Sequence, residues 1–122
     1  QDIPVSLFVD PVHDQLENCA EVKAAWIELH TGKYAITKNK PRSLELSILK
    51  ESTAKAKSYG LRVNAGHGLT YQNVEPIAGI EGIEELNIGH TIISRALSVG
   101  LSQAVKEMKS LIINPRKDNF LL

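Results

Sequence analysis

The sequence predicts an α/β chain that supplies about the last four βα units of a (β/α)8 TIM barrel. Three observations carry that expectation. Short β-rich runs alternate with stretches of helical spacing four times over, the rhythm of parallel βαβ units with right-handed crossovers. Polar and charged residues recur at alternate positions of the runs, which a sheet buried on both faces disfavours and a barrel lumen accepts. Glycine turns follow the third and fourth runs, the place where barrels commonly bind phosphate.

The first run is Val5 to Asp10 (VSLFVD), and Pro11 to Ala24 after it has helical spacing that puts Val12, Leu16, Cys19 and Val22 on one face. His13 in that stretch reads as solvated surface. The second run, Trp26 to His30 (WIELH), sets Ile27 and Leu29 against Glu28 and His30 across the pleat. The Lys-rich stretch Lys33 to Arg42, with Pro41, predicts an exposed, mobile βα loop and a candidate lid. Ser43 to Tyr59 predicts a helix with Leu44, Ile48 and Ala54 or Ala56 near one stripe, ended by a left-handed Gly60.

In the third run, Leu61 to Ala65, Leu61, Val63 and Ala65 oppose Arg62 and Asn64. Asn73 to Ile80 is a shorter helix in which Pro76 is tolerable only near the first turn. The fourth run, Glu85 to Ile88, sets Leu86 and Ile88 against Asn87; Thr91 to Leu97 then reads as a short extra helix before Gly100 and a last helix, Ala104 to Ile113. Ser6, Asp10, Glu28, His30, Asn64 and Asn87 take the inward positions near a barrel mouth.

Composition narrows the function. With 122 residues, 43% apolar and 23% charged, the chain has the make-up of one soluble globular domain or part of one. Fourteen basic residues balance fourteen acidic ones, which speaks against nucleic acid or an anionic membrane surface as partner. A single cysteine, Cys19, excludes an internal disulfide and fits a cytoplasmic setting. No apolar run approaches the roughly 18 residues of a membrane span. An apolar strand starts within a few residues of Gln1, which reads as a partial chain forming half of one barrel domain over residues 1–122, with a polar, flexible tail from about residue 114. Half a barrel leaves two open edges, so the missing N-terminal half-barrel is an expected partner.

The chemistry sits in two turns, Gly66-His67-Gly68-Leu69-Thr70 and Gly89-His90-Thr91. Glycine where a strand gives way to a helix lets backbone N–H groups approach an anion. Each turn alone is better explained as tight geometry; their pairing at successive strand ends favours phosphate. Histidine as a residue type can give up a proton near neutral pH, so His67 reads as a proton donor, with a supporting hydrogen bond as the bland alternative. Glu28, a carboxylate in the middle of an inward strand face, needs pairing, hydrogen bonds or water to offset its burial. It reads as an acid, a base or a charge stabiliser, or else as half of a lumen salt bridge, with His30 as its hydrogen-bonding support. No metal-ligand spacing, nucleophile elbow, phosphate-binding lysine loop or dinucleotide fingerprint is present.

The segments Val5 to Asp10, Ile27-Glu-Leu-His-Thr-Gly32, Val63-Asn-Ala-Gly-His-Gly-Leu-Thr-Tyr71 and Glu85-Leu-Asn-Ile-Gly-His90 resemble, in order and spacing, the C-terminal half of the pyridoxine 5'-phosphate synthase family, through to about Ile113. The resemblance implies a condensation of 1-deoxyxylulose 5-phosphate with 3-amino-2-oxopropyl phosphate that needs no cofactor or metal. It implies His67 as proton donor, Glu28 as transition-state stabiliser, and Gly68, Gly89 and His90 as holders of the aminoketone phosphate. His30, Asn64 and Asn87 are expected in support from their inward strand positions alone. It also implies a homo-oligomer, and an inactive fragment, because other general bases belong to the missing half. Competing readings are another phosphate-binding barrel, an isomerase or aldolase, and a non-catalytic phosphate-binding half-barrel. A Schiff-base lysine would mark an aldolase, and the four strands contain none.

Overall fold

A computed structural model describes residues 3–114. The elements run β1 (Ser6–Val9), α1 (His13–Glu21), β2 (Trp26–His30), α2 (Gly32–Ile36), α3 (Asn39–Ser58), β3 (Arg62–Gly66), α4 (Val74–Ala78), β4 (Ile83–Asn87), α5 (His90–Val99) and α6 (Leu101–Ile113). The four strands form one parallel sheet in sequential order, β1-β2-β3-β4. Sequential order means that each crossover advances by one strand in the same direction, as successive units of a barrel require. The tail expected from about residue 114 falls, from 115 onward, outside the described residues.

Strand alternation decides the faces as expected. Ile27, Leu29, Val63 and Ala65 have no exposed surface and pack beneath the helices. Fully burying side chains of Val, Leu or Ile size stabilises by roughly 1.5–3 kcal/mol each. Leu16, Cys19, Leu46, Leu49, Val74, Ile77 and Met108 close the core from the helix side. The opposite face carries Phe8, Glu28, His30, Asn64 and Asn87. Near its N-terminal end the Arg62 guanidinium lies 3.6 Å from the centre of the Trp26 ring and pairs with Glu84. Glu84 falls at an irregularity where Val63 pairs with Ile83 but Asn64 with Glu85.

The stretch 33–42 is exposed at most positions, as its charge suggests, but it is largely helical rather than a loop. Tyr34 is buried, α2 occupies Gly32–Ile36, and α3 begins at Asn39 rather than Ser43. Pro41 is accommodated as the third residue of α3 because the first N–H groups of a helix have no carbonyl one turn back. The buried face of α3 is also rotated from the expected stripe. Glu45, Leu46, Leu49, Ser52, Thr53 and Ala56 are buried, whereas Leu44 is 61% exposed and Ala54 is exposed. Polar members of that face are satisfied locally: the Thr53 hydroxyl donates to the Leu49 carbonyl (2.7 Å), Ser52 to that of Pro11 (3.3 Å), and Glu45 pairs with Lys33 (2.8 Å). In α1 only Leu16 and Cys19 of the expected face are buried, with Val12 and Val22 exposed. Helix α5 starts one residue before Thr91, and α6 starts at Leu101, burying Ala104 and Met108. Gly60 ends α3 with φ 82°, as expected.

Candidate active site

The C-terminal ends of β1 to β4 open on a cavity of about 340 Å³ on the lumen face. Glu28, His67, Gly68, Asn87, Gly89 and His90 line it, so residues far apart in the chain meet in one place. His30 and Asn64 do not line it. Each side chain arrives there for a local reason.

Glu28 projects from the centre of β2. Its Oε2 accepts a hydrogen bond from the Asn87 side-chain amide at 2.8 Å, and its Oε1 lies over Gly66. A Cβ at Gly66 would collide with that oxygen and come within 2.9 Å of the Asn87 carbonyl. The partner is therefore a neutral amide on β4, neither a lumen cation nor His30. His30 instead directs Nδ1 to the Asp10 carboxylate at 3.0 Å, linking the ends of β1 and β2. The shift in partner follows from the pleat: residues two apart on one strand lie side by side, pointing the same way, while Asp10 stands at the end of the adjacent strand. Asn64, the register partner of Glu28, is buried, and its Oδ1 has no hydrogen-bond partner among the described residues.

The turn after β3 is the most constrained backbone of the site. His67 and Gly68 follow one another at φ 83° and φ 73°. Glycine takes that region freely, but a histidine there carries of order 1–3 kcal/mol of strain that the surroundings must hold. The turn is stapled from both sides. In front, Thr31 donates through its hydroxyl to the Gly66 and His67 carbonyls (2.7 and 2.6 Å) and through its N–H to Gly66 (2.8 Å). Behind, the Asn73 side chain accepts from the Thr70 N–H (2.7 Å) and donates to the Gly68 carbonyl (3.2 Å), and the buried Tyr34 hydroxyl donates to the Asn73 carbonyl (2.8 Å). The His67 and His30 rings meet edge to face with centroids 4.8 Å apart, and Phe8 leans on His30 at 5.1 Å and on His67 at 6.5 Å.

After β4, Gly89 precedes α5, and the Gly89 carbonyl takes the N–H groups of Ile92 and Ile93 (both 3.1 Å). The N–H groups of the first helical residues, His90 and Thr91, have no carbonyl one turn back and carry the positive end of the helix dipole, a setting suited to an anion. No Cβ placed at Gly89 would meet an atom within 4 Å, so crowding within this chain does not demand glycine there. Among the described residues no three His, Cys, Asp or Glu side chains converge as a metal site, and no helix is long and apolar enough to cross a membrane.

Thr31, Tyr34 and Asn73 were not singled out from the sequence. A threonine at a strand end or an asparagine before a helix looks ordinary there, and a signal exists only in Thr70-x-x-Asn73, the spacing of a side chain that closes a turn.

Four parallel strands with a cavity at their C-terminal ends define half of an enzyme-type (β/α)8 barrel. A family model described as "Pyridoxal phosphate biosynthesis protein PdxJ" matches residues 1–114, and the chain belongs to that family. It is 94% identical over 122 residues to a pyridoxine 5'-phosphate synthase of Prochlorococcus marinus (strain NATL1A), covering all of this chain and 50% of that protein. It is 66% identical over 116 residues to the enzyme of the same name from Synechococcus sp. (strain WH7803), covering 95% of this chain and 47% of that protein. The chain thus spans about half the length of the curated relatives it matches.

Proposed function

We propose that this chain, as the C-terminal half of a complete barrel, takes part in condensing 1-deoxy-D-xylulose 5-phosphate with 3-amino-2-oxopropyl phosphate to pyridoxine 5'-phosphate, with loss of phosphate and water. The observation that carries the reading is the single cavity in which Glu28, His67 and both glycine turns meet. Closing the pyridine ring requires repeated proton transfers and passes through charged, imine-like species. His67 donates a proton to the departing oxygen, and Glu28, oriented by the Asn87 amide, stabilises the positive charge that develops on the imine. Gly68, Gly89 and His90 hold the phosphate of the aminoketone through backbone N–H groups and the first turn of α5. Asn87, His30 and Asn64 act in support. The chemistry rests on acid–base groups without metal or cofactor, and the complete protein works in the cytoplasm as a homo-oligomer.

The test is His67→Asn in the full-length protein. Asparagine tolerates the left-handed backbone at this position, so the turn persists while the proton is lost. Turnover is expected to fall about 10²–10⁴-fold, the usual worth of a general acid, with binding of the aminoketone phosphate retained. Undiminished turnover rejects the assignment.

A further inference from the structure

His67 is held where a histidine does not rest by choice, and what holds it lies at the end of β2. Thr31 has no exposed surface. Its N–H reaches the Gly66 carbonyl, a contact that any residue but proline would supply. Its hydroxyl proton is shared between the carbonyls of Gly66 and His67, and only a side-chain donor at that depth supplies this second anchor. The next residues leave the turn no slack. A Cβ at Gly32 would lie 2.5 Å from His30 Nε2 and 3.2 Å from His67 Cδ2, and one at Gly68 would lie 2.7 Å from the Ala35 Cβ. The first turn of α2 is thus the platform on which the His67 turn sits, and the hydroxyl is the pin.

We infer that Thr31 is a positioning residue: its hydroxyl fixes the His67 carbonyl, and so the left-handed backbone that aims the imidazole into the cavity. The inference rests on His67 being the proton donor. Thr31 does not line the cavity; its effect passes through the backbone of the turn. A side chain that sets the aim of the donor alters the chemical step and leaves the phosphate subsite after β4 as it was.

The experiment compares Thr31→Val, which keeps the shape and removes the hydroxyl, with Thr31→Ser, which keeps the hydroxyl, in the full-length protein beside His67→Asn. With Val, kcat is expected to fall about 10–100-fold, the scale of a misplacement near 1 Å, while KM for the aminoketone phosphate rises by no more than about fivefold, because Gly68 shares the turn but Gly89 and His90 do not. Ser is expected to restore kcat to within about threefold of wild type. Wild-type kcat in Thr31→Val together with an inactive His67→Asn overturns the inference and leaves the proposed function standing. An active His67→Asn removes the donor assignment and the inference with it. A loss that Ser does not restore assigns Thr31 to packing alone and overturns the inference too. If the Val protein does not fold, Thr31→Ala against Thr31→Ser decides the same point, because equal kcat in that pair denies the hydroxyl its role.

Discussion

Two glycines at the mouth are identical in composition and opposite in the reason for their presence. Gly66 lies buried beneath the Glu28 carboxylate and beside the backbone of β4, so a methyl there must displace the carboxylate or part the strands. Gly89 has open space around its Cβ position and a φ of −119° that any residue adopts. Gly66→Ala should therefore cost about 1–3 kcal/mol of stability, the usual range for overpacking a tight site, and lower kcat by turning Glu28 away from Asn87. Gly89→Ala should leave thermal stability unchanged and raise KM for the aminoketone phosphate, since only a bound anion needs that backbone bare. Thermal unfolding and steady-state kinetics on the two full-length variants separate these outcomes; a Gly66→Ala protein as stable and active as wild type would show that the crowding relaxes at no cost.

Among the elements, the strands were legible and the platform was not. Period-two alternation in WIELH and LRVNA identifies the core face, because Ile27, Leu29, Val63 and Ala65 are fully buried there, although Asn64 on the opposite face is buried too. The stretch 33–42 misleads because five charged or amide side chains mask the one residue that decides its structure, Tyr34. Its ring is buried, and its hydroxyl satisfies the Asn73 carbonyl across 39 residues of sequence, a distance no local pattern records. In α3 the buried face includes Glu45, Ser52 and Thr53, so hydropathy points to the wrong stripe. The Gly-His turns were legible as chemistry, and Glu28 as a carboxylate in need of a partner, but its actual partner, Asn87, lies 59 residues away.

Tyr34 yields a prediction with a sign. Burial pushes its phenol above the ordinary value, with the Arg42 charge opposing. A raised folded-state pKa contributes stability that is fully present below the unfolded value, about 10, and is lost as pH rises through the folded value. Tyr34→Phe should cost about 1–2 kcal/mol at pH 7, because it leaves the buried Asn73 carbonyl without its donor. The difference should shrink above pH 10 as the tyrosine is driven to ionise. Urea unfolding of the two full-length proteins at pH 7 and 10.5 measures it; a gap that widens in alkali contradicts the assignment of a buried neutral donor.

For the whole molecule, the decisive feature is what the sheet leaves unpaired. Among the described residues strand β1 pairs only with β2, and β4 only with β3, so in a sheet of this order each flank presents a row of backbone donors and acceptors. Phe8, 57% exposed, stands on the lumen face against His30 and His67, where a closed barrel would bury it. Each of these is a deficit that a second set of strands would make good, and the relatives are about twice as long as this chain. The 122-residue chain alone is therefore expected to show no turnover, and to gain it on mixing with the remaining half of a close relative such as the Prochlorococcus enzyme. Sedimentation should show the two pieces joining as the fluorescence of Trp26, the one tryptophan in this chain, changes. Turnover by the isolated chain would mean that Glu28 and His67 suffice without the other half, and the division of labour across the barrel would have to be abandoned.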